Sequence, residues 1–415
     1  MKTKNLVLVG IAVCAILLAS PALASAGYSK IYGNANEDDV LDMRDVTYIK
    51  LVIFGKKPAT TLADANYDGK ISMLDVGQTK LIILGKEKKL TLVDMADRVV
   101  TINRPVERVV ALQPPVTRMI IGFGDADKIV ALGTWSHKYA IEPGRGPKWQ
   151  EVVAELRELL DVGSGYEPNI EVILSLEPDV VIPYAGDPSR AAMWDRFQKD
   201  TGIPVAGFDS HATCDGMFEE IKFIGTVLGK EKRAEELISY FKEDLNMVTD
   251  VTSKISESEK PTVLFLRGEI SRTTNVYELI DLAGGINVAR ECTPTPGARG
   301  VLISKEQIIK WNPDIILIHY STQSRGFTVE DVLSDPDLQI VSAIKNRKVY
   351  HTPGAFHLVG ADPPRVITET FYMAKLFYPD KFDDLDVEKE GNELFERFYG
   401  VDDLWTELGE ELGFI

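Results

Sequence analysis

Cysteine is scarce in this chain of 415 residues: there are three, and Cys14 lies inside the apolar run at the start. Cys214 and Cys292 remain, and two widely spaced cysteines leave their pairing open rather than marking a disulfide framework. Positive charge is also in deficit. Lys and Arg number 46 against 63 Asp and Glu, for a formal net charge of -17. Such a chain repels nucleic acid, and no basic stripe interleaved with aromatics offsets that repulsion. After the first 26 residues no apolar stretch is long enough to span a bilayer. Two enzyme signatures are missing as well, the GxSxG elbow and the GxxxxGK[ST] phosphate loop. Gly122 and Gly124 lack the third glycine of a dinucleotide fingerprint. No enzyme is expected.

What is present begins with an export signal over residues 1–26. Lys2 and Lys4 give a basic start, Leu6 to Leu18 is an apolar run of about 13 residues, and Ala22, Ala24 and Ala26 offer cleavage sites. A retained anchor is the competing reading. The expected location is periplasmic, or extracellular at the cell surface.

Residues 28–87 contain a repeat. Asn34, Asn36, Asp38, Asp42 and Asp45 in the first half match Asp64, Asn66, Asp68, Ser72 and Asp75 in the second, at loop positions 1, 3, 5, 9 and 12. Val40 and Lys70 stand at position 7, where the backbone carbonyl serves. Calcium takes six to eight oxygen ligands from a flexible loop, and this spacing supplies them. Each loop runs into an apolar-periodic helix stopped by Gly55 or Gly85. The paired loops, closed by Asp, resemble a dockerin module. Asp39 replaces the usual glycine at position 6 of the first loop and Asn34 the usual acid at position 1, so the first site is expected to be the weaker. The resemblance implies a cohesin partner, met by Met43, Arg44, Met73 and Leu74. Similar modules also occur as plain calcium-stapled appendages.

From about Leu90 short apolar strands alternate with helical stretches, which implies parallel sheets covered by helices. The stretch Asn169–Ile182 is echoed by Ser304–Leu317: each is a short helix with an early glutamate, Glu171 or Glu306, then Pro-Asp, then a buried strand. Two lobes of like architecture follow. Between them Glu231 to Ile255 carries one apolar stripe and, at about 25 residues, spans roughly 37 Å as a helix. These stretches, with Glu107–Leu112, Thr201–Val205, Leu282–Asn287 and Ala343–Tyr350, resemble the ferric-siderophore and cobalamin class of periplasmic binding proteins. The expected fold is therefore α/β: two Rossmann-like lobes joined by a long backbone helix, preceded by a small all-α domain of paired calcium loops. The expected divisions are the module at 28–87, a linker at 88–93, an N-terminal lobe at 94–213, a helical connector at 214–256, and a C-terminal lobe with closing helices at 257–415.

The resemblance implies a binding protein that delivers a small-molecule metal chelate to an ABC importer permease and its ATPase. Glu171 and Glu306 are the expected docking contacts, since two separated carboxylates facing permease arginines fix register. Ligands of such sheets bind beyond the carboxyl ends of the strands. The expected cleft residues are Gln113, Trp135, His137, Tyr139, Tyr166, Tyr184, His211, Arg267, His319, Tyr320, Phe356 and His357. Aromatics suit an iron-siderophore, haem or corrinoid, an iron- or cobalt-containing cargo. The four histidines keep open a bare metal ion or oxyanion. A surface protein assembled through a dockerin–cohesin contact is the remaining alternative.

Overall fold

The computed structural model describes residues 28–141, 146–210, 213–296, 300–319, 327–352 and 362–412. The export signal and four expected cleft residues, His211, Tyr320, Phe356 and His357, lie outside these residues.

Each half of the repeat is an acidic turn leading into a helix, α1 (Met43–Ile53) and α2 (Met73–Ile83). Reciprocal capping sets both starts. Asp45 accepts from the Asn36 N–H at 3.1 Å and the Asp42 N–H at 2.8 Å. Asp75 does the same for Asn66 at 3.1 Å and Ser72 at 2.7 Å. Ala35, Val46, Ile49, Ala63 and Val76 form a small core between the helices.

The segment expected to be a linker, 88–93, is instead largely strand. β1 (Lys89–Val93) pairs antiparallel with β2 (Val99–Asn103). Leu90 and Leu92 are fully buried, and leaving two leucines in a solvated tether would forfeit about 1.5–3 kcal/mol each. The module joins this ribbon directly. Ile31 bridges Leu92, the Tyr32 N–H donates to the Thr91 carbonyl at 3.0 Å, and the Val93 N–H donates to the Lys30 carbonyl at 2.8 Å. Tyr28 enters the main core edge-on to Phe223.

The N-terminal lobe comprises β3 (Val109–Ala111), α3 (Pro114–Gly122), β4 (Ile129–Leu132), α4 (Thr134–Tyr139), α5 (Gly146–Val152), β5 (Leu160–Asp161), α6 (Ile170–Ser175), β6 (Val180–Ile182) and α7 (Pro188–Thr201). Its sheet runs β5-β4-β3-β6, all parallel. Parallel bridges Val181–Val205 and Tyr184–Phe208 extend it beyond β6. Successive strand residues bury on opposite faces: Val109 and Ala111 in the main core, Val110 with Trp194 and Phe197 in a second one.

Two helices connect the lobes, α8 (Cys214–Leu228) and α9 (Glu231–Thr252). The expected stripe, Ala234, Ile238, Phe241, Leu245 and Val248, is buried. The helix stops at Thr252 rather than Ile255, and the Thr252 hydroxyl donates to the Leu282 carbonyl at 2.8 Å. At 22 residues it is about 33 Å long.

The C-terminal lobe contains β7 (Thr262–Leu266), β8 (Arg272–Thr273), α10 (Glu278–Leu282), β9 (Ile286–Asn287), β10 (Val301–Leu302), α11 (Lys305–Trp311), β11 (Ile315–His319), α12 (Val329–Leu333), α13 (Ser342–Lys345) and β12 (Val349–Thr352). Its sheet runs β10-β8-β7-β11-β12, parallel from β7 to β12, with β8 and β10 antiparallel.

Three closing helices follow, α14 (Pro363–Phe377), α15 (Val387–Tyr399) and α16 (Leu404–Leu412). Grouping them all with the C-terminal lobe is corrected by the packing. Tyr399 meets Trp149 edge-on, Lys148 pairs with Asp402 and Asp403, and a Cβ on Gly122 of α3 would stand 2.4 Å from the Phe398 ring. The C-terminal helices thus return to the first lobe.

Candidate functional site

The internal echo has one structural cause. Glu177 and Asn312 adopt left-handed backbone, with φ of 45° at each, ending α6 and α11 just before Pro178 and Pro313. The following aspartates then anchor a neighbouring strand. Asp179 accepts from the Glu107 and Arg108 N–H groups ahead of β3, and Asp314 accepts from the Thr262 N–H and hydroxyl at the start of β7. Glu171 and Glu306 are exposed in the first turns of α6 and α11, whose N-caps are Asn169 and Ser304. A hydrogen bond from the Ser304 hydroxyl holds the Glu306 carboxyl below the usual carboxylate range. The two glutamates thus occupy equivalent positions, each in the first turn of the helix that precedes a strand of its lobe's sheet.

The described cleft candidates follow parallel strands in both lobes. Gln113 is the N-cap of α3 after β3, and Trp135, His137 and Tyr139 lie on α4 after β4. Tyr166 follows β5, Tyr184 follows β6, Arg267 follows β7, and His319 is the last residue of β11.

Trp135 and Tyr139 stack at 5.5 Å with an interplanar angle of 11°, and the Lys138 ammonium lies 5.1 Å from the Tyr139 ring centre. Tyr166 and Tyr184 are brought together by a residue absent from the expected set. The Arg190 guanidinium sits 3.7 Å from the Tyr166 ring centre and 4.6 Å from that of Tyr184. Burial, reinforced by a hydrogen bond with Asp209, pushes the Tyr184 phenol up to about 12. Arg190 has one sequence cue: Asp187-Pro188 starts a helix directly beyond a strand, so its first turn must stand at the ligand edge of the sheet.

In the other lobe His319 adjoins a buried aromatic pair of the main core. Phe265 stacks on Tyr277 at 4.2 Å and meets His319 edge-on at 5.9 Å. Tyr277 donates to Glu369 at 2.6 Å, and burial drives its phenol far above the usual value. His137 and His319 fall in different lobes. No group of three or more His, Cys, Asp or Glu side chains among the described residues is arranged to hold a metal ion. Cys214 and Cys292 are both free thiols, and burial pushes the Cys214 thiol up.

In the module Met43, Met73 and Leu74 are exposed, whereas Arg44 folds back onto Asp38 and Asp42 of its own loop. Asn34 is 1% exposed, and its side-chain oxygen has no hydrogen-bond partner.

The geometry has counterparts. The family model for "Periplasmic binding protein" matches residues 109–355, more than half of the chain. An ABC transporter substrate-binding lipoprotein of Bacillus subtilis, YvrC, is 26% identical over 70% of this chain and 85% of its own length. The molybdate-binding protein MolA of Haemophilus influenzae is 24% identical over 74% and 90%. A cobalamin-binding protein of Halobacterium salinarum is 22% identical over 69% and 73%. Among solved structures, a periplasmic solute-binding protein of Veillonella parvula superposes with a TM-score of 0.62 at 22% identity, covering 78% of this chain and 96% of that one. The molybdate-bound structure of MolA gives 0.60 at 23% identity, covering 75% and 98%. These relatives bind solutes and are not enzymes. No helix among the described residues is long and apolar enough to cross a membrane. Two lobes whose ligand-facing loops lie beyond parallel strands, matched across more than half of the sequence, place this chain in the periplasmic binding protein family, as the extracytoplasmic substrate-binding component of an ABC importer.

Proposed function

We propose that the transported ligand is a bulky metal chelate or macrocycle, of the iron-siderophore, haem or corrinoid type. The observation that carries this reading is the stacked Trp135–Tyr139 pair together with Tyr166 and Tyr184, all at the carboxyl edge of one sheet. Flat aromatic faces bury a large planar ligand far better than a bare ion. The cobalamin-binding relative supports the reading, and the molybdate-binding relative keeps an oxyanion as the competitor. Glu171 and Glu306 serve as the docking points for the permease. The test is titration of the purified protein with cyanocobalamin, haem, ferric enterobactin, ferric citrate and molybdate, followed by tryptophan fluorescence. Saturable quenching by an organic chelate or macrocycle, weakened at least tenfold by Trp135→Ala, is expected. Binding of molybdate alone would replace the ligand class.

A second reading concerns the module. Asn34 is buried with an oxygen acceptor to spare at position 1 of its loop, and a buried unpaired acceptor costs about 1–3 kcal/mol unless something fills it. Both loops also share the same bonds to Asp45 and Asp75. The loop carboxylates are not gathered around one point in the structure, so calcium would have to draw together Asn34, Asn36, Asp38, Val40, Asp42 and Asp45, and Asp64, Asn66, Asp68, Lys70, Ser72 and Asp75 in the second loop. The exposed Met43, Met73 and Leu74 are the surface for a cohesin partner, and such a contact would hold the protein at the cell surface. Calorimetric titration with calcium tests the loops: two events, the weaker lost in Asn34→Ala, support them, and no heat rejects them.

A further inference from the structure

We infer that Arg190 is a specificity-determining residue of the cleft, and that the ligand presents a carboxylate or similar anionic oxygen group to it. This rests on the solute-binding reading and narrows it.

The argument begins with how the side chain is held. Its guanidinium lies against both Tyr166 and Tyr184, at 3.7 and 4.6 Å from the ring centres. Ring contact leaves the N–H edge of the planar ion for polar contact. Nε lies 2.6 Å from the Asp187 carboxylate but makes no hydrogen bond to it. The side chain is only 15% exposed, and its guanidinium donates no hydrogen bond among the described residues. A guanidinium donates through five N–H groups in a fixed fork that matches two oxygens of one anion. A largely desolvated arginine that is paired by charge but not hydrogen-bonded is thus a receptor for such a group.

The neighbouring acids hold the clamp in place: burial lowers the Arg190 pKa, and the charge of Asp209 opposes that shift. Asp187 is the N-cap of α7, and its Oδ1 accepts from the Ser189 N–H, the Ser189 hydroxyl and the Arg190 N–H. Asp209 accepts from the Ser210 N–H and bonds to Tyr184. Its seat depends on Gly186, where a Cβ would stand 2.1 Å from an Asp209 carboxylate oxygen. Both acids are therefore occupied in fixing the clamp. Gln113 adds a neutral donor nearby, with its amide nitrogen 3.2 Å from where a Cβ would stand on Gly165, the residue before Tyr166. All these groups lie past the ends of β3, β5 and β6, where a parallel sheet receives its ligand.

The test compares wild type, Arg190→Gln and Arg190→Lys by equilibrium titration with ferric citrate, haem, iron protoporphyrin dimethyl ester, molybdate and cyanocobalamin. Arg190→Lys keeps the charge but loses the planar fork, so it guards against a loss of charge balance. Melting of the ligand-free variants checks their folding. The expected result is tenfold to hundredfold weaker binding of ferric citrate, haem or molybdate by Arg190→Gln, with Arg190→Lys between it and wild type. Wild type is also expected to discriminate against the dimethyl ester, whose carboxylates are blocked. Affinity within twofold of wild type in a folded Arg190→Gln overturns the inference. So does tight binding of cyanocobalamin alone, equal in all three proteins, and that outcome leaves the importer reading intact. Silence of wild type toward every probe removes the ligand reading, and the inference with it.

Discussion

The contact that ties the N-terminal module to the binding lobes is open to a single substitution. Tyr28 is 5% exposed, lies edge-on to Phe223 of the connector helix α8 at 5.2 Å, and donates its hydroxyl to the Val93 carbonyl at 2.8 Å. Removing a buried aromatic ring costs about 3–5 kcal/mol, and the lost hydrogen bond adds about 1 kcal/mol. What would remain includes the Ile31–Leu92 bridge with its flanking backbone bonds, the bond from the Gln78 amide to the Lys89 carbonyl at 2.7 Å, the Lys30–Asp97 and Glu87–Arg104 ion pairs, and the packing of Ile82. Domain stabilities are about 5–15 kcal/mol, so Tyr28→Ala removes a share large enough to uncouple the two parts. Differential scanning calorimetry is the assay. Wild type is expected to unfold in one transition. If calcium binds the loops, a concentration of about 100 times the dissociation constant adds about 2.7 kcal/mol to that whole transition. Tyr28→Ala is expected to show two transitions, only the lower one responding to calcium, while Tyr28→Phe keeps one transition with a loss of about 1 kcal/mol. Two transitions in wild type, or an unchanged trace for Tyr28→Ala, would refute the coupling.

Further expectations follow from other contacts. Reversing Glu171 or Glu306 to Lys is expected to lower uptake in a reconstituted importer at least tenfold, with ligand affinity unchanged; lost affinity would remove the docking assignment. Asp94 is fully buried and accepts from the Ala96, Arg98 and Gly207 N–H groups and from the Arg98 guanidinium. Asp94→Ala leaves that guanidinium only the Val205 carbonyl and the exposed Asp195, so denaturant unfolding is expected to show a loss of about 3 kcal/mol. Burial on α9 raises the Asp244 carboxyl to about 6, against an opposing pull from Arg397 and a smaller push from Glu390, Glu243 and Glu393. The folded state therefore holds a proton that the unfolded state releases at lower pH, so stability falls as pH rises from about 4 to about 6. Asp244→Asn is expected to flatten that stretch of a melting-temperature profile, and an unchanged slope would assign it to another group.

The parts legible in the sequence are those governed by short-range rules. Val180–Ile182 and Ile315–Ile318 read as strands because a sheet buried on both faces needs unbroken apolar runs. Glu177-Pro178-Asp179 and Asn312-Pro313-Asp314 read as a repeated helix stop because proline cannot continue a helix. What the spacing did not reveal was the use of each aspartate as a strand anchor, which is a contact across the fold. The missed features have the same origin. Leu90 and Leu92 alternate as a strand should, yet a five-residue strand whose pairing with β2 goes unrecognised reads as a linker. The amphipathic pattern of α15 says that one face is buried, but not that Phe398 must reach Gly122 in the first lobe. Arg190 is the sharpest case. Tyr166 and Tyr184 were expected in the cleft as separate aromatics, whereas the structure sets both rings against one cation. An exposed arginine pays for its hydration with every partner it takes; one already packed against rings has lost most of that water, and its remaining donors discriminate between ligands by whether oxygen is supplied. The pair of tyrosines thus makes the cleft selective, and no periodicity in the chain encodes that pairing.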